Sequence, residues 1–394
     1  MADILASGKR LMAAYGVGQA DRIPIVSPIS WHPMRDVDVE NPGGWRADPE
    51  FRKLARLVQE HCDPYPPYNH VKYPGVFSPL SYQRFLEAPD RYVEMLPAER
   101  VLPQRTRTTY VLHAPKGDLF WAKEEDDGIE TWWDVRKPVE KPEDVDTLLS
   151  VPFDFPEPPD AEYAPFRAHR KEMGPYAIGG GSINSMVAML VGVMDYEMLL
   201  EWVLTEPKLV KRLAEAWMER VWAKVDFLLS RGVGPMWHFN GVERASPPMM
   251  GRRQWETLVE PYDGEIMRRI KERDPSARIH VHCHGKVSTL LDSWIRMGVD
   301  SIDPVEPPPQ GDIELAEARR RVGDRLTFFG NIEFCWMDME TPEKIERAVK
   351  RAIDEGGKER FVLDPSASPH EAHTARFNAN ALRYLETALE YGRK

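Results

Sequence analysis

The chain has little cysteine, no surplus of basic charge and no long apolar run, and each absence excludes a class of protein. Three cysteines among 394 residues (Cys62, Cys283, Cys335), none in C-x-x-C spacing, make neither a disulfide framework nor a thiolate metal knuckle. Lys and Arg total 52 against 63 Asp and Glu, a net charge of −11. That balance argues against a nucleic acid partner and offers no polybasic patch to a membrane surface. Nothing approaches the ~18 consecutive apolar residues of a membrane span, and residues 1–16 read as an amphipathic helix rather than a secretory leader. The expected compartment is the cytoplasm. Nucleotide loops are missing as well: Gly179-Gly-Gly-Ser182 is glycine-rich but has neither G-x-x-x-x-G-K-[ST] nor G-x-G-x-x-G spacing. No sequence repeat and no low-complexity segment stands out.

What is present is a rhythm. A short β-branched run at 22–28 ends in prolines and leads into Trp31 and His32; an aromatic, proline-broken loop at 63–73 follows a helical stretch at 48–60. Between about 105 and 135, β-rich runs separated by Pro115-Lys-Gly-Asp118 and Asp126-Asp-Gly128 predict an antiparallel meander. From about 162 onward the pattern is strand then helix. Strands are expected at 176–182, 234–240, 278–284, 301–303, 326–330 and 361–364, and helices at 186–204, 206–231, 255–273, 287–297, 313–322, 341–355 and 375–391. So many βα units in succession favour an α/β fold, a closed (β/α)8 TIM barrel with an inserted meander, read as a single domain over 1–394.

In such a fold the chemistry lies where the strands end, and the densest strand end is Arg278-Ile-His-Val-His-Cys-His-Gly285. Three histidines alternate with Val281 and Cys283, so on a strand the imidazoles share one face, with Cα atoms two residues apart separated by about 6.5–7 Å. Other predicted strand ends add His238, Asn240 and Glu243, then Asp303 and Glu306, then Asn331 and Glu333, then Asp364, Ser366 and Ser368. Polar groups this dense are costly to desolvate unless they bind something, which points to an enzyme. His282, His284 and Glu306 have the ligand types that zinc or another divalent ion accepts, with a position left open. The other reading is a metal-free wall in which imidazoles and carboxylates bind substrate directly. His280 lies deeper and reads as a supporting group. Glu243, His238 and Asp303 are the candidate acids and bases; Glu243 could instead form a loop ion pair with Arg244. Trp31, His32, Asn240, His280, Asn331, Glu333, Ser366 and Ser368 are candidates for substrate or cofactor contact.

Several of these segments, over about 176–391, resemble the uroporphyrinogen decarboxylase superfamily, in particular its methyltransferase-like branch. The likeness rests on Pro247-Pro-Met-Met250 through Pro261-Tyr262, His282-Cys-His-Gly285 followed by Gly298-Val-Asp300, Phe329-Gly-Asn-Ile-Glu333, and Leu363-Asp-Pro-Ser-Ala-Ser-Pro369. It implies a TIM barrel. Uroporphyrinogen decarboxylases proper carry an arginine-rich segment after the first strand to hold porphyrinogen carboxylates; Ser27-Pro-Ile-Ser-Trp-His-Pro-Met34 stands there instead, which sets porphyrinogen decarboxylation aside. Methyltransferases of the branch, and the related cobalamin-independent methionine synthases, bind zinc through His-x-Cys on this strand and a later Cys, with an added Glu in the synthases. By that resemblance His282 keeps the first place, His284 replaces the thiolate, Glu306 supplies the carboxylate, and Ala367 stands about where the last Cys would be.

Imidazole in place of thiolate leaves a bound metal more electrophilic, which disfavours thiol methylation and suits polarising an oxygen or nitrogen. The chain has no Asp-x-His-x-x-Gly corrinoid motif, so a cobalamin carrier would come on a separate corrinoid protein, or the carrier would be tetrahydrofolate. The expected activity is movement of a methyl group between a small-molecule substrate and such a carrier. A lyase of decarboxylase type or a hydrolase acting on a small carboxylate is the alternative, and a non-catalytic binding protein is a third reading. A homodimer is the expected assembly, on general grounds.

Overall fold

The computed structural model describes residues 4–29, 44–64, 92–129, 131–153, 160–367 and 372–394. An antiparallel sheet comes first, built from β1 (Val93–Met95), β2 (Glu99–Leu102), β3 (Arg105–Ala114), β4 (Gly117–Asp126) and β5 (Trp133–Arg136). β3 is its centre, paired with β1 and β2 along one edge and with β4 along the other, from Arg105 opposite Asp126 to Ala114 opposite Gly117. Cross-strand pairs such as Arg105 with Asp126 and Arg107 with Glu124 line the long hairpin. Against the expectation for 105–135, the structure adds two strands ahead of it, β1 and β2.

Six parallel strands then build the second sheet, hydrogen-bonded in chain order: β6 (Gly180–Asn184), β7 (Met236–Asn240), β8 (Arg278–His282), β9 (Ser301–Asp303), β10 (Thr327–Ile332) and β11 (Phe361–Pro365). Helices fill the crossovers, among them Pro207–Ser230 and Asp263–Arg273. Each strand alternates strictly. Trp237, Phe239, Ile279, Val281, Phe328 and Leu363 are buried in the main apolar core beneath the helices, and the intervening residues face the other way.

That inner face is apolar at its amino-terminal end. The first helix, α1 (Ile4–Ala14), packs there: Leu11, Met12, Ala14 and Tyr15 cluster with Val26, Ile178, Met236, Phe329 and Val362. These partners come from both ends of the sheet. A flat sheet would hold β6 and β11 about 24 Å apart, so the sheet is strongly curved around α1. Segment 23–26 extends the sheet beyond β11: Ile25 bridges Leu363 in parallel, with Val26 N–H donating to Leu363 O at 2.9 Å and Leu363 N–H to Pro24 O at 3.0 Å. Among the described residues, no strand joins this segment to β6.

Two expected long helices are broken. Residues 186–204 divide into Met186–Val193 and Tyr196–Thr205, and 255–273 into Arg252–Leu258 and Asp263–Arg273. In the second case Pro261, which lacks an N–H, falls at the break. The freed helix start is put to use: Asp263, fully buried, accepts from Ser185 Oγ at 2.5 Å and Met186 N–H at 2.9 Å, capping the helix that follows β6. Among the described residues, no helix is long and apolar enough to cross a membrane.

Candidate active site

Strand register brings the polar residues together. Ser182 lies beside His238, His238 beside His280, His280 beside Ser301, His282 beside Asp303, and Asn331 beside Asp364. Toward the carboxyl ends of the strands the inner face is therefore a continuous polar surface, where ligands bind in parallel α/β sheets.

Asp303 is its centre. Oδ1 accepts from His280 Nε2 at 2.6 Å, and Oδ2 from His282 Nδ1 at 2.9 Å. The remaining His280 nitrogen, Nδ1, lies 2.8 Å from Ser301 Oγ, which lies 2.7 Å from the hydroxyl of Tyr15. The two imidazoles respond to the same carboxylate in opposite ways. His280 is fully buried, and desolvation, only partly offset by Asp303, lowers its pKa. At His282 burial also acts to lower the pKa, but Asp303, with Glu243 and Asp364 behind it, raises it to about 9. Burial acts to raise Asp303, and its two imidazoles win, holding it well below the usual carboxylate range. The ring of His238 lies 5.2 Å from that of His280, and burial, reinforced by His280, takes its pKa down to about 3, so it is a neutral base. Asp364 goes the other way. Its burial, and the negative charge of Asp303, raise its pKa well above the ordinary value.

A second pair lies beside the first. His284 Nδ1 is 2.8 Å from Glu306 Oε1, whose other oxygen accepts from Gly285 N–H at 2.6 Å. The rings of His282 and His284 meet edge to face at 4.6 Å. Asp303 and Glu306 both reach this strand because the chain turns sharply between them, with Val305 at φ 45°, a conformation costly for a β-branched residue. Gly311 lies against that turn, where a Cβ would come within 1.8 Å of Glu306 O. Glu333 is nearby: burial and the charge of Glu306 raise its pKa to about 7, and among the described residues its buried Oε1, like Asn331 Nδ2, has no hydrogen-bond partner.

The remaining candidates divide. Glu243 lies on a single helical turn, Val242–Ala245, with Oε1 at 3.1 Å from Arg244 and Oε2 buried with no hydrogen-bond partner among the described residues; the loop ion pair exists, but it uses only one oxygen. Asn240 donates to Ser182 Oγ at 2.9 Å. Ser366 Oγ accepts from Phe334 N–H at 2.9 Å and so ties the ends of β10 and β11 together. Cys283 is buried on the outer face, its thiol pushed up by desolvation. Trp31, His32 and Ser368, and the aromatic loop beyond residue 64, lie outside the described residues. Sequence reasoning missed Tyr15 and Ser301. Alternation back from Asp303 places Ser301 on the inner face and would have found it; nothing in the sequence marks Tyr15.

Among the described residues, one group of possible ligand atoms, from His238, His280 and Asp303, converges within 4.8 Å. His282 and His284, of the set expected from the sequence, each turn Nδ1 onto a carboxylate. This carboxylate–imidazole arrangement is also the one that orients a ligating histidine, leaving Nε2 for a metal, and the donor set is imidazole and carboxylate throughout, without a thiolate.

Comparison with known proteins agrees with the fold. The chain is similar over 98% of its length, and 98% of the other chain, to a solved methyltransferase from Methanosarcina mazei, with a TM-score of 0.55 and 13% identity; this is a likeness of fold. Over 105 residues it is 28% identical to "Uroporphyrinogen decarboxylase 1, chloroplastic" of Oryza sativa subsp. japonica. That match spans 26% of this chain and only 25% of the rice protein. The sequence profile of the family described as Uroporphyrinogen decarboxylase (URO-D) matches residues 134–373, more than half of the chain, and the chain therefore belongs to the uroporphyrinogen decarboxylase family.

Proposed function

We propose that this protein is a methyltransferase of the methyltransferase-like branch, moving a methyl group between a small-molecule substrate and either a corrinoid on a separate protein or tetrahydrofolate. The observation that carries the reading is the His282–Asp303 pair. A methyl group leaves an ether or amine readily only if the heteroatom gains a proton or a Lewis acid. His282 is held protonated up to a pKa of about 9, and with Nδ1–H on Asp303 it keeps Nε2–H for that heteroatom. As the bond to the methyl carbon breaks, its electron pair stays on the heteroatom, which takes the His282 proton; the carrier accepts the methyl. The methyltransferase that shares this fold over its whole length supports the choice of reaction.

His282, His284 and Glu306 are the proposed holders of a divalent ion such as zinc, which would supply Lewis acidity in place of the imidazolium proton. Glu243 and His238 exchange protons with solvent or substrate, and Asn240, Asn331, Glu333 and Ser366, with Trp31, His32 and Ser368, contact substrate or carrier. A closed (β/α)8 barrel, supported by the parallel bridge of Ile25 to Leu363, a single domain, a cytoplasmic location and a homodimeric assembly complete the reading.

One observation favours a second reading, a decarboxylase-like lyase: burial raises the pKa of Asp364 well above its ordinary value and that of Glu333 to about 7, which suits protonation of a carbanion. Product analysis decides between the two. The purified chain is incubated with methoxylated and methylated-amine substrates, with and without a corrinoid protein or tetrahydrofolate, and products are identified by mass spectrometry. Demethylated product formed only with an acceptor supports methyl transfer; carbon dioxide released without one overturns it. For the ion, elemental analysis of protein prepared without chelator should find about one equivalent, lost in His284→Ala; no metal, or unchanged content in the variant, removes that part of the proposal.

A further inference from the structure

We infer that the face formed by helix Tyr196–Thr205, the start of helix Pro207–Ser230 and helix Arg252–Leu258 is where a second copy of this chain docks across a two-fold axis, an inference that rests on the homodimeric part of the reading above and is independent of methyl transfer.

The three elements enclose a groove of about 450 Å3 whose walls include Val203, Leu204, Val210, Leu258 and Tyr262. It lies on the same side of the sheet as the site. Helix Pro207–Ser230 has 24 residues, about 36 Å at 1.5 Å per residue, and it runs back to the start of β7, whose five residues span only about 17 Å. Its first turn therefore stands at or beyond the carboxyl ends of the strands, and helix Arg252–Leu258 follows the turn that carries Glu243. Leu204 forms one lip of the groove and is 72% exposed, more than any other large hydrophobic residue among those described. Exposed singly it would need no explanation; beside an apolar groove it puts a knob and a hole on one face.

The charges on this face are of both signs, and they are kept apart. The charged residues that line the groove are Lys211 and Arg253. Lys211 lies 3.6 Å from Glu215 with both side chains largely exposed, a contact worth little, and Arg253 makes no ion pair among the described residues. Helix Tyr196–Thr205 turns the other sign outward. Its inner side buries Leu199 and Trp202, so Glu197, Glu201 and Leu204, at i, i+4 and i+7, form one exposed stripe that Glu206 continues. None of these three carboxylates is paired among the described residues.

That distribution selects the occupant. A small amphipathic anion would suit Lys211 and Arg253 but would leave Leu204 and the acidic stripe uncovered. A protein whose surface has one sign of charge meets repulsion on half of the face. A second copy meets none: a two-fold axis matches a surface with itself, so the stripe of each copy lies against the cations of the other, and Leu204 of each enters the other's groove. Met249, 50% exposed and just ahead of helix Arg252–Leu258, adds apolar area toward the roughly 800 Å2 per partner of a stable interface.

Sedimentation velocity of the full chain, over a concentration series up to about 100 µM, tests this. The wild type is expected to sediment as a dimer. Leu204→Arg, Arg253→Glu and Glu201→Arg change exposed side chains, so each should fold as the wild type does and weaken the dimer by about tenfold or more. Arg253→Glu combined with Glu201→Arg exchanges the two signs and should recover most of the loss. A dimer that none of the single variants weakens, or a double variant no tighter than the weaker of its two singles, overturns the inference and leaves a homodimer through another face. A monomer at every concentration overturns it together with the homodimeric reading. If a variant does not fold, amide exchange of the wild type decides: residues 196–211 and 252–262 should gain protection on dimerisation, and unchanged protection there overturns the inference. No substrate or carrier enters either measurement, so the methyl-transfer reading stands or falls separately.

Discussion

Asp303 shows how two imidazoles on one carboxylate come to do different work. Its partners differ in solvation: the His280 side chain is 0% exposed and that of His282 28%. Desolvation outweighs the carboxylate at His280, and the carboxylate outweighs desolvation at His282. Asp303→Asn keeps the shape and removes the charge, so His282, now near 9, should titrate below its ordinary value near 6.5. If it donates the proton in methyl transfer, turnover at pH 7–8 should fall by roughly a hundredfold or more; histidine NMR titration and single-turnover kinetics check the two halves. The pair also has a signature in stability. His282 has a raised folded pKa, so its contribution is whole below about 6.5 and is lost as pH rises through about 9. Asp303 has a depressed one, so its contribution is present above about 3.9 and lost as pH falls further. Both describe one interaction, worth on the order of 3 kcal/mol for a shift of this size. Urea unfolding of chelator-treated protein should show the wild type losing most of that between pH 6 and pH 10, and His282→Gln losing much less.

At the scale of the element, the turn from Asp303 to Glu306 sets the spacing of the two imidazole–carboxylate pairs. Prolines on both sides of Glu306 stiffen it; the left-handed Val305 and the contact with Gly311 depend on which loop packs against which, and the sequence alone does not show them. Gly311→Ala drives a methyl into Glu306 O, so it should destabilise the protein by about 1–3 kcal/mol and pull Glu306 from His284. Thermal unfolding reads the first effect, and a changed His284 ring signal the second. Elsewhere, legibility followed periodicity. The alternation of His280, His282 and His284 showed both the inner face and the outward turn of Cys283, because strand geometry alone decides it. Which nitrogen faces what is a property of neighbouring strands. The sequence therefore named His282, His284 and Glu306 as a ligand set and Asp303 as an acid or base, where the structure pairs His282 with Asp303 and His284 with Glu306. Helix 255–273 was read through Pro261, whose effect depends on whether the chain turns there.

At the scale of the whole molecule, the question is what holds α1 against the underside of the sheet. The apolar cluster of Leu11, Met12 and Tyr15 gives contact without direction. Direction comes from Asp63, whose side chain is 0% exposed. Its Oδ1 accepts from Arg10 Nε at 2.9 Å, and its Oδ2 from Arg22 at 2.9 Å and Ile25 N–H at 3.1 Å. One carboxylate thus ties α1, the segment bridged to β11, and the chain just past helix Pro49–His61. Arg10 and Arg22 are themselves almost buried, so Asp63→Ala strands two cations, and losses of about 3–5 kcal/mol are typical when one partner of a buried pair is removed. Urea unfolding measures that cost. Hydrogen exchange locates it: amides of residues 4–14 should lose protection beyond the global change, because α1 is the element left without its anchor. Since Tyr15 follows directly from α1, the loosening should also reach His280 and broaden its ring signals. Should stability fall while protection in 4–14 merely follows the rest of the chain, the apolar cluster alone holds α1, and the Arg10–Asp63–Arg22 cluster serves only to join the two segments beyond it.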